Sequence, residues 1–248
     1  MSQFQELAPH YDELMHSVPY DAWAEYVELL WSIVGHKPRR VLDCACGTGN
    51  LTFEFARQGL YVAGVDLSAP MIDIARQKAQ DECLPIRFEV ADLGDFQLGE
   101  TFDSATCLYD SLNYILDPAH LKRAFASIAA HVETNGVFVF DMNSDYALRS
   151  DLFSQTNRHT KRSLHYDWRA SFDERTRICS VSMRFEQTRA NGEIEVFHET
   201  HRERAYELPE VEAMLDETGW ELESSFDAYT LNRVHGKSER WFLVVRRR

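Results

Sequence analysis

Residues 41–50 of the chain read VLDCACGTGN. An apolar run ends at Asp43, continues through small residues and two glycines, and reaches Asn50, where a helix can begin. Gly47 and Gly49 let the backbone approach a ligand that a side chain would block, and the free amides at the start of a helix favour an anionic group. Asp43 can take the opposite charge, an ammonium group. The segment therefore predicts a strand, a loop suited to an amino-acid zwitterion, and a helix.

Short apolar runs alternate with amphipathic stretches from residue 39 to about residue 143. The predicted strands are Arg40–Cys44, Tyr61–Asp66, Ile86–Val90, Phe102–Cys107 and Gly136–Asp141. The predicted helices between them are Leu51–Gln58, Pro70–Gln80 and Pro118–His131. This alternation indicates βαβ units and a parallel sheet with helices on both faces. Ligands bind beyond the carboxyl ends of the strands in such sheets, so the functional residues are expected there.

The pattern changes after residue 143. Residues Leu164–Tyr206 alternate with period two, and Asn191-Gly192 is a strong hairpin signal between two of the runs. They predict a small antiparallel sheet inserted into the larger one. One helix and two strands then complete the core: Pro209–Thr218, Trp220–Phe226 and Arg240–Val245. Since no helix separates the last two strands, one of them should run antiparallel to the rest. The predicted fold class is α/β, a doubly wound, mostly parallel seven-stranded sheet with an inserted antiparallel sheet.

Two amphipathic segments precede the first strand, Phe4–His16 and Tyr20–Val34, and the second carries an apolar stripe at helical spacing. We expect both to be helices. The predicted division of the chain has three parts: an N-terminal helical lid over residues 1–38, a core over residues 39–150 and 207–248, and the inserted sheet over residues 151–206.

Composition restricts the class of protein. The 248 residues suffice for one sizeable core, and no window approaches the roughly 18 apolar residues of a membrane span. The first residues are polar and acidic where a secretory signal would need a basic and then an apolar stretch, so a cytoplasmic protein is expected. The formal net charge of −14 disfavours nucleic acid as a partner. Cys44 and Cys46 are spaced C-x-C rather than C-x-x-C, so no metal site is expected.

Three acidic residues close three successive predicted strands: Asp43, Asp66 and Asp92. In dinucleotide-binding folds, a carboxylate after the second strand holds ribose hydroxyls, and Asp92 could accept a hydrogen bond from an adenine amino group. Each acid alone could instead cap the following helix. Together with the glycine loop, they indicate an adenosine-containing ligand. NAD fits poorly, because its fingerprint needs a small residue where this chain has Thr52.

The loop and the strand ends resemble known motifs. Residues 42–52 resemble the first motif of class I S-adenosylmethionine-dependent methyltransferases, and residues 65–68 and 91–93 resemble the second and third. The chain is similar over nearly its whole length to a group of small bacterial and archaeal methyltransferases (methyltransferase domain 25-like), and more loosely to sugar and glycine/sarcosine N-methyltransferases. The resemblance implies a Rossmann-like methyltransferase fold, with S-adenosyl-L-methionine as cofactor and S-adenosyl-L-homocysteine as product.

The motifs and the resemblance together give a set of site residues. The cofactor-binding candidates are Tyr11, Tyr20, Trp23, Asp43, Cys44, Ala45, Gly47, Gly49, Asn50, Asp66, Leu67, Met71, Asp92, Leu93 and Leu108. The catalytic candidates are Tyr109, Asp110 and His201. The candidate substrate contacts are Asn113, Trp168 and Arg202.

Several of these residues could have a purely structural role. Tyr20 and Trp23 could simply pack in a helix core, and Asp110 could cap a helix. His201 could be structural, as a lone strand histidine usually is. By the period-two rule, Glu199, His201 and Glu203 share one face of their strand, and either that face or the opposite one, with Arg202, should point at the pocket.

These features predict an enzyme, a methyltransferase that moves a methyl group to a small-molecule nitrogen or oxygen by in-line displacement. The acid-rich and aromatic-rich edge around Tyr109, Asp110, Tyr114 and Trp168 favours an amine as acceptor. A tRNA or protein methyltransferase and a non-catalytic adenosyl-binding regulatory protein are the alternatives. Neither nucleic acid nor a membrane is an expected partner, and the sequence is compatible with a monomer or a homodimer.

Overall fold

The computed structural model describes residues 4–157, 162–189 and 191–248. The helices are α1 (Tyr11–Leu14), α2 (Tyr20–Ile33), α3 (Asn50–Arg57), α4 (Ala69–Asp81), α5 (Pro118–His131), α6 (Asp145–Arg149) and α7 (Leu208–Glu217). The strands are β1 (Arg40–Cys44), β2 (Tyr61–Asp66), β3 (Arg87–Val90), β4 (Phe102–Cys107), β5 (Val132–Asn143), β6 (Leu164–Asp173), β7 (Ile178–Thr188), β8 (Ile194–Arg204), β9 (Trp220–Asp227) and β10 (Arg240–Arg247). Short 3₁₀ turns cover Ala8–His10, Ser111–Tyr114 and Asp151–Phe153.

Seven strands form one sheet in the order β3-β2-β1-β4-β5-β10-β9. The pairs among β1 to β5 are parallel, and β10 runs antiparallel to both β5 and β9. The predicted seven-stranded, mostly parallel sheet and its one antiparallel strand are confirmed. The strand order reverses between β1 and β4, so the carboxyl ends of these two strands open side by side, which is where such sheets bind ligands.

The helices cover the two faces of the sheet. On one face, Val27, Leu30 and Trp31 of α2 pack with α3 against the odd-numbered positions of β1 and β5. On the other face, α5 and α7 pack against the even-numbered positions. This split follows from strand geometry, because successive side chains point to opposite faces. Among the described residues, no helix combines the length and apolar character needed to span a bilayer.

Most predicted boundaries agree with the structure to within one residue, and those of three elements do not. The strand predicted at Arg240–Val245 continues to Arg247. The strand predicted at Gly136–Asp141 is longer, because Glu133 to Asn135 are exposed and hide its first residues from a hydrophobic pattern. The single helix predicted over Phe4–His16 is wrong. That segment instead forms a 3₁₀ turn at Ala8–His10 and the short α1, since Pro9 has no amide hydrogen to continue a helix.

The inserted sheet has the order β6-β7-β8 and is antiparallel throughout, which confirms the prediction from the period-two pattern. Its inner face packs on Leu7 and Leu148. Asn113, in the turn after β4, connects this sheet to the larger one. Its side-chain amide donates to the backbone oxygens of Asn143 and Arg204 and accepts from the backbone amide of Asn143. The end of β8 is thereby held over the carboxyl ends of β4 and β5.

Candidate active site

The glycine loop after β1 is built from left-handed backbone. Gly47 has a φ of 56° and Gly49 a φ of 82°. A Cβ on Gly49 would lie 2.9 Å from Cζ of Phe88, whereas a Cβ on Gly47 would meet nothing within 4 Å. Gly49 is therefore required by packing inside the protein. Gly47 leaves an open backbone surface of the kind that an approaching ligand needs.

Asp66, at the carboxyl end of β2, is held by that loop. Its Oδ2 accepts from the amide of Gly47 at 2.8 Å, and its Oδ1 accepts from the amide of Ser68 at 2.8 Å. Burial raises the pKa of Asp66, and the two amides act in the opposite direction. Since each carboxylate oxygen can accept more than one hydrogen bond, the group can also receive the hydroxyls of a ribose. Of its predicted neighbours, Met71 is buried and Leu67 is 69% exposed.

Asp43 is occupied by hydroxyl donors. Thr52 Oγ1 donates to its Oδ2 at 2.5 Å and Thr106 Oγ1 to its Oδ1 at 2.9 Å. Burial raises the pKa of Asp43 to about 6, although both threonines lower it. In the structure this carboxyl joins β1 to α3 and β4, and its predicted contact with an ammonium group stays a prediction.

Asp92, after β3, is positioned by a histidine that the sequence did not reveal. His120 Nε2 lies 2.6 Å from Asp92 Oδ1, which also accepts from the amide of Gly94 at 2.8 Å. Burial acts to raise the pKa of Asp92, but the Gly94 amide and His120 outweigh it, so the pKa is lowered. His120 lies in the first turn of α5, 28 residues later in the chain, and no local pattern connects it with this strand end.

The N-terminal segment is tied to the glycine loop by Asp12. Its carboxylate accepts from Thr48 Oγ1 at 2.6 Å, from Asn50 Nδ2 at 2.9 Å and from Lys78 Nζ at 3.0 Å. Lys78 also donates to Asn50 Oδ1 at 2.6 Å. The structure thus brings α1 and α4 together over the start of α3, and Lys78 is a member of this site that the sequence did not reveal.

Aromatic residues gather beside this contact. The hydroxyl of Tyr20 lies beside the side chains of Asn50 and Tyr11. Trp23 stacks on Tyr109, with ring centroids 5.2 Å apart and an angle of 28° between the planes. The predicted residues Tyr11, Tyr20, Trp23, Asn50 and Tyr109 are therefore neighbours in the structure.

A buried acid cluster lies at the carboxyl ends of β4 and β5; its members are Asp110, Asp141, Glu203 and Arg240. Arg240 Nη2 donates to Asp110 Oδ1 at 2.7 Å, and Nη1 of the same residue donates to Asp141. Asn143 Nδ2 donates to Glu203 Oε2 at 2.8 Å. The carboxyl groups of Glu203 and Asp110 lie within hydrogen-bonding range of each other, and two carboxyls can hydrogen-bond only if one of them carries a proton.

The acid cluster contains three carboxyls and one guanidinium. Asp141 is 0% exposed, Glu203 is 4% exposed and Asp110 is 6% exposed. Burial raises the pKa of Asp110 to about 6 against the pull of Arg240, and burial followed by the charge of Asp110 raises the pKa of Glu203 well above its usual range. Glu203 is therefore the neutral member of the pair. Asp110 and Asp141 then leave one negative charge in excess over Arg240.

His201 is enclosed and has both ring nitrogens engaged. Its Nε2 lies 2.7 Å from Glu199 Oε2 and its Nδ1 lies 3.1 Å from the hydroxyl of Tyr114. Burial would raise the pKa of Glu199, but hydrogen bonds from His201 and the amide of Leu7 outweigh it, so the pKa is lowered and the group is a carboxylate. His201 must then donate through Nε2 and accept from Tyr114 through Nδ1. His201 therefore connects the side chains of Glu199 and Tyr114.

Several predicted residues are not brought to the acid cluster. Asn113 uses its amide on backbone groups. Trp168 packs against Tyr166 in a tilted arrangement inside the inserted sheet, and Arg202 is exposed on the outer face of β8. Cys44, Leu93 and Leu108 are buried in the two main cores, and Ala45 is partly buried against one of them.

Glu203, Asp141 and Arg240 are the members of the acid cluster that the sequence prediction left out. Arg240 and Asp110 are 130 residues apart in the chain. The period-two pattern did place Glu203 on the same face as His201, and burial now shows that this is the inward face. Among residues 4–157, 162–189 and 191–248, no cluster of His, Cys, Asp and Glu side chains is arranged to hold a metal ion.

Comparison with known proteins shows similarity to methyltransferases. Residues 41–136 match the family described as "Methyltransferase domain". YqeM of Bacillus subtilis (strain 168), a protein provisionally named a methyltransferase, is 31% identical over 248 residues, which cover 98% of this chain and 97% of that protein. The crystal structure of an S-adenosylmethionine-dependent methyltransferase from Clostridium acetobutylicum ATCC 824 superposes with a TM-score of 0.86 at 29% identity, covering 99% of both chains.

Two further similarities are to enzymes of sugar N-methylation. The dTDP-3-amino-3,6-dideoxy-alpha-D-glucopyranose N,N-dimethyltransferase of Streptomyces fradiae is 34% identical over 138 residues, which cover 55% of this chain and 52% of that enzyme. The sugar N-methyltransferase KedS8 from Streptoalloteichus sp ATCC 53650 superposes with a TM-score of 0.80 at 25% identity, covering 96% of this chain and 92% of that one.

Proposed function

The chain belongs to the S-adenosylmethionine-dependent methyltransferases, and from this we propose that it methylates the nitrogen of a small-molecule amine. The family, the Rossmann-like fold and S-adenosylmethionine as cofactor were expected from the motifs and the family resemblance, and all three expectations are confirmed. The chain is accordingly an enzyme, and the alternative of a non-catalytic adenosyl-binding protein is dropped.

The glycine loop supports the placement of the cofactor. The open backbone at Gly47 and the carboxylate that it fixes, Asp66, are suited to a ribose lying against the loop. Asp92, turned by His120, is suited to the adenine amino group, and Tyr11 and Tyr20 border the region beside Asn50. When bound, the cofactor supplies a methyl group on a positively charged sulfur, already activated for displacement.

The observation that carries the proposal is the excess negative charge of the acid cluster. An amine that accepts a methyl group ends the step with a positive charge on nitrogen, so a buried negative charge nearby stabilises the product side of the reaction. A hydroxyl acceptor develops negative charge on oxygen as it loses its proton during the attack, and the excess negative charge of the acid cluster disfavours that charge. The electrostatics of the acid cluster therefore favour nitrogen over oxygen.

The relatives support a small acceptor. The Streptomyces fradiae enzyme and KedS8 act, by their names, on amino sugars or sugar nitrogens. For this chain we infer the same chemical class, a small polar amine. A tRNA or protein acceptor is the competing proposal, and the net charge of −14 disfavours a phosphate-rich partner.

The test is methyl transfer from S-adenosylmethionine labelled in its methyl group. The purified protein is offered four separate sets of acceptors: small amines including amino sugars, phenols, carboxylates and bulk tRNA. We expect label in the amines only. Label confined to phenols, carboxylates or tRNA would reject the proposal, and calorimetric titration with S-adenosylmethionine confirms that the preparation is competent to bind its cofactor.

A further inference from the structure

Most side chains beside Asp110 can be set aside as proton acceptors. Burial raises the pKa of Tyr11, Tyr109 and Tyr114, so these three phenols keep their protons at neutral pH. His201 already uses one nitrogen as a donor and the other as an acceptor. Asp141 is 0% exposed, whereas Asp110 is 6% exposed, and Asp141 accepts from Arg240 and from the backbone amide of Asp110. Asp110 and Glu203 are the groups that this elimination leaves.

These two carboxyls are held from opposite sides. Arg240 fixes one oxygen of Asp110, and Asn143 fixes one oxygen of Glu203. The hydrogen bond between the two carboxyls uses a proton that Glu203 donates. If Glu203 were ionised, a second uncompensated charge would be buried in the acid cluster, which is unfavourable. The arrangement therefore stabilises a neutral Glu203 beside an ionised Asp110.

The pair faces a defined set of groups on every element packed against it. They are Tyr11 of α1, Tyr109 and Tyr114 after β4, Asp141 of β5, Cys179 of β7, His201 of β8, Tyr229 before β10 and Arg240 of β10. Burial raises the pKa of the Cys179 thiol to about 11 and that of the Tyr229 phenol as well. Arg240 is thus the cation of this set, and Asp110 is the carboxylate that also contacts the neutral acid.

Resting on the proposed function, we propose that Asp110 takes the proton released by the methylated amine and that Glu203 is its positioning residue, a neutral carboxylic acid that orients and stabilises the Asp110 carboxylate. As the new nitrogen–carbon bond forms, the methyl–sulfur bond breaks and sulfur keeps that electron pair. Nitrogen then carries one hydrogen too many. The proton passes to Asp110, the N–H electron pair returns to nitrogen, and a neutral methylated amine is released.

Two substitutions at Glu203 separate positioning from packing. The pH dependence of kcat/KM for one fixed amine is measured for the wild type, Glu203→Gln, Glu203→Leu and the exposed control Glu221→Gln. Gln still donates a hydrogen bond to Asp110, so Glu203→Gln should keep the acidic limb of the profile in place. Leu cannot donate, so Glu203→Leu should move that limb to higher pH, because Asp110 becomes harder to ionise. Asp110→Asn should lower kcat/KM by about 100-fold and abolish the limb.

A spectroscopic measurement tests the protonation directly, without substrate or turnover. Infrared spectra at neutral pH should contain the carbonyl band of a buried neutral carboxylic acid in the wild type and in Glu221→Gln. The band should be absent from Glu203→Gln. If the wild type lacks the band, or if Glu203→Gln moves the acidic limb as far as Glu203→Leu does, the proposal is overturned.

The outcomes also distinguish the two levels of inference. A wild type that methylates no amine contradicts the proposed function. A wild type that methylates amines while Asp110→Asn and Glu203→Leu keep its rate and pH profile supports the function and rejects this assignment of the proton. Thermal unfolding of each variant shows whether it is folded, and the infrared result on Glu203→Gln remains decisive if Glu203→Leu does not fold.

Discussion

Tyr109 and Asp110 carry backbone strain at the end of β4. Their φ angles are 67° and 53°, in a region that residues other than glycine rarely adopt. Such conformations cost about 1–3 kcal/mol each and persist where the surroundings impose them. Here the imposing contacts are the stacking of Tyr109 on Trp23 and the clamping of Asp110 by Arg240. This backbone conformation points the Asp110 carboxyl towards the other members of the acid cluster.

The two glycines of the loop should respond differently to alanine. Gly49→Ala places a Cβ against Phe88 and should lower the free energy of unfolding by about 2 kcal/mol or more, since strain and overpacking add. Gly59→Ala, where φ is 88° and the space is open, supplies the strain without the clash and should cost less. Urea denaturation measures both.

Gly47→Ala forms the other half of this test. It meets no protein atom, so its cost in stability should resemble that of Gly59→Ala. Its added methyl group, however, lies on the backbone surface that we assign to the cofactor. Calorimetric titration should show weaker binding of S-adenosylmethionine to Gly47→Ala than to Gly59→Ala. Equal affinities would remove Gly47 from the cofactor site.

Residues that act within one motif could be predicted from the sequence, and residues that converge from distant segments could not. Gly47 and Asp66 belong to local strand–loop–helix units whose spacing is itself the signal. Arg240 meets Asp110 across 130 residues, and Asn143 meets Glu203 across 60. Nothing in the neighbouring sequence of Arg240 distinguishes it from a residue at an ordinary strand start.

At the scale of the element, the N-terminal segment depends on one distant side chain. Glu199 of β8 accepts hydrogen bonds from the amides of Phe4, Glu6 and Leu7, at 3.0, 2.8 and 2.9 Å. These contacts hold the start of the chain against β8. The prediction of a helix from residue 4 failed because Phe4 has a φ of 62° and Pro9 has no amide hydrogen, whereas an amphipathic pattern records only the polarity of side chains.

Glu199→Gln should release this segment. The substitution removes the negative charge from a group that accepts three backbone amides, so amide hydrogen exchange over residues 4–15 should become faster, while exchange in the seven-stranded sheet stays the same. Glu195→Gln, on the same strand and paired with Arg189 at the surface, is the matched control. Unchanged exchange at residues 4–15 in Glu199→Gln would show that other contacts hold the segment.

The same contact has a defined pH dependence. The pKa of Glu199 is lowered in the folded protein, so its contribution is present above the ordinary carboxyl pKa of about 4.3 and is lost as the pH falls through the lower folded value. Exchange over residues 4–15 in the wild type should therefore stay slow at neutral pH and accelerate only in acid.

At the scale of the whole molecule, buried acids set how stability varies with pH. Burial raises the pKa of Asp43 and of Asp110 to about 6. A carboxyl whose pKa is higher folded than unfolded stabilises the fold below its unfolded pKa, and this contribution is lost as the pH rises through the folded pKa. For these two groups the loss lies between about pH 4 and pH 6. Asp12, Asp92 and Glu199, whose pKa values are lowered, act in the opposite sense at lower pH.

Asp43→Asn should reduce the dependence of stability on pH. The difference in free energy of unfolding between pH 5 and pH 8 should change by roughly 1–3 kcal/mol relative to the wild type, because one titrating buried group is gone. The exposed Asp73→Asn is the control and should leave the difference unaltered. Only the difference between the two pH values is diagnostic, since Asp43 also accepts hydrogen bonds from Thr52 and Thr106. Identical pH curves for Asp43→Asn and the wild type would contradict the raised pKa.

The position of β10 has a consequence for biosynthesis. This strand follows β9 in the chain but lies between β5 and β9 in the sheet, and its first residue supplies the guanidinium that Asp110 and Asp141 share. A ribosome must therefore translate past residue 240 before β10 can pair with β5 and β9. Only then can Asp110 and Asp141 acquire their counter-ion. Nascent chains and truncated products that stop short of this point are expected to be both unfolded and inert.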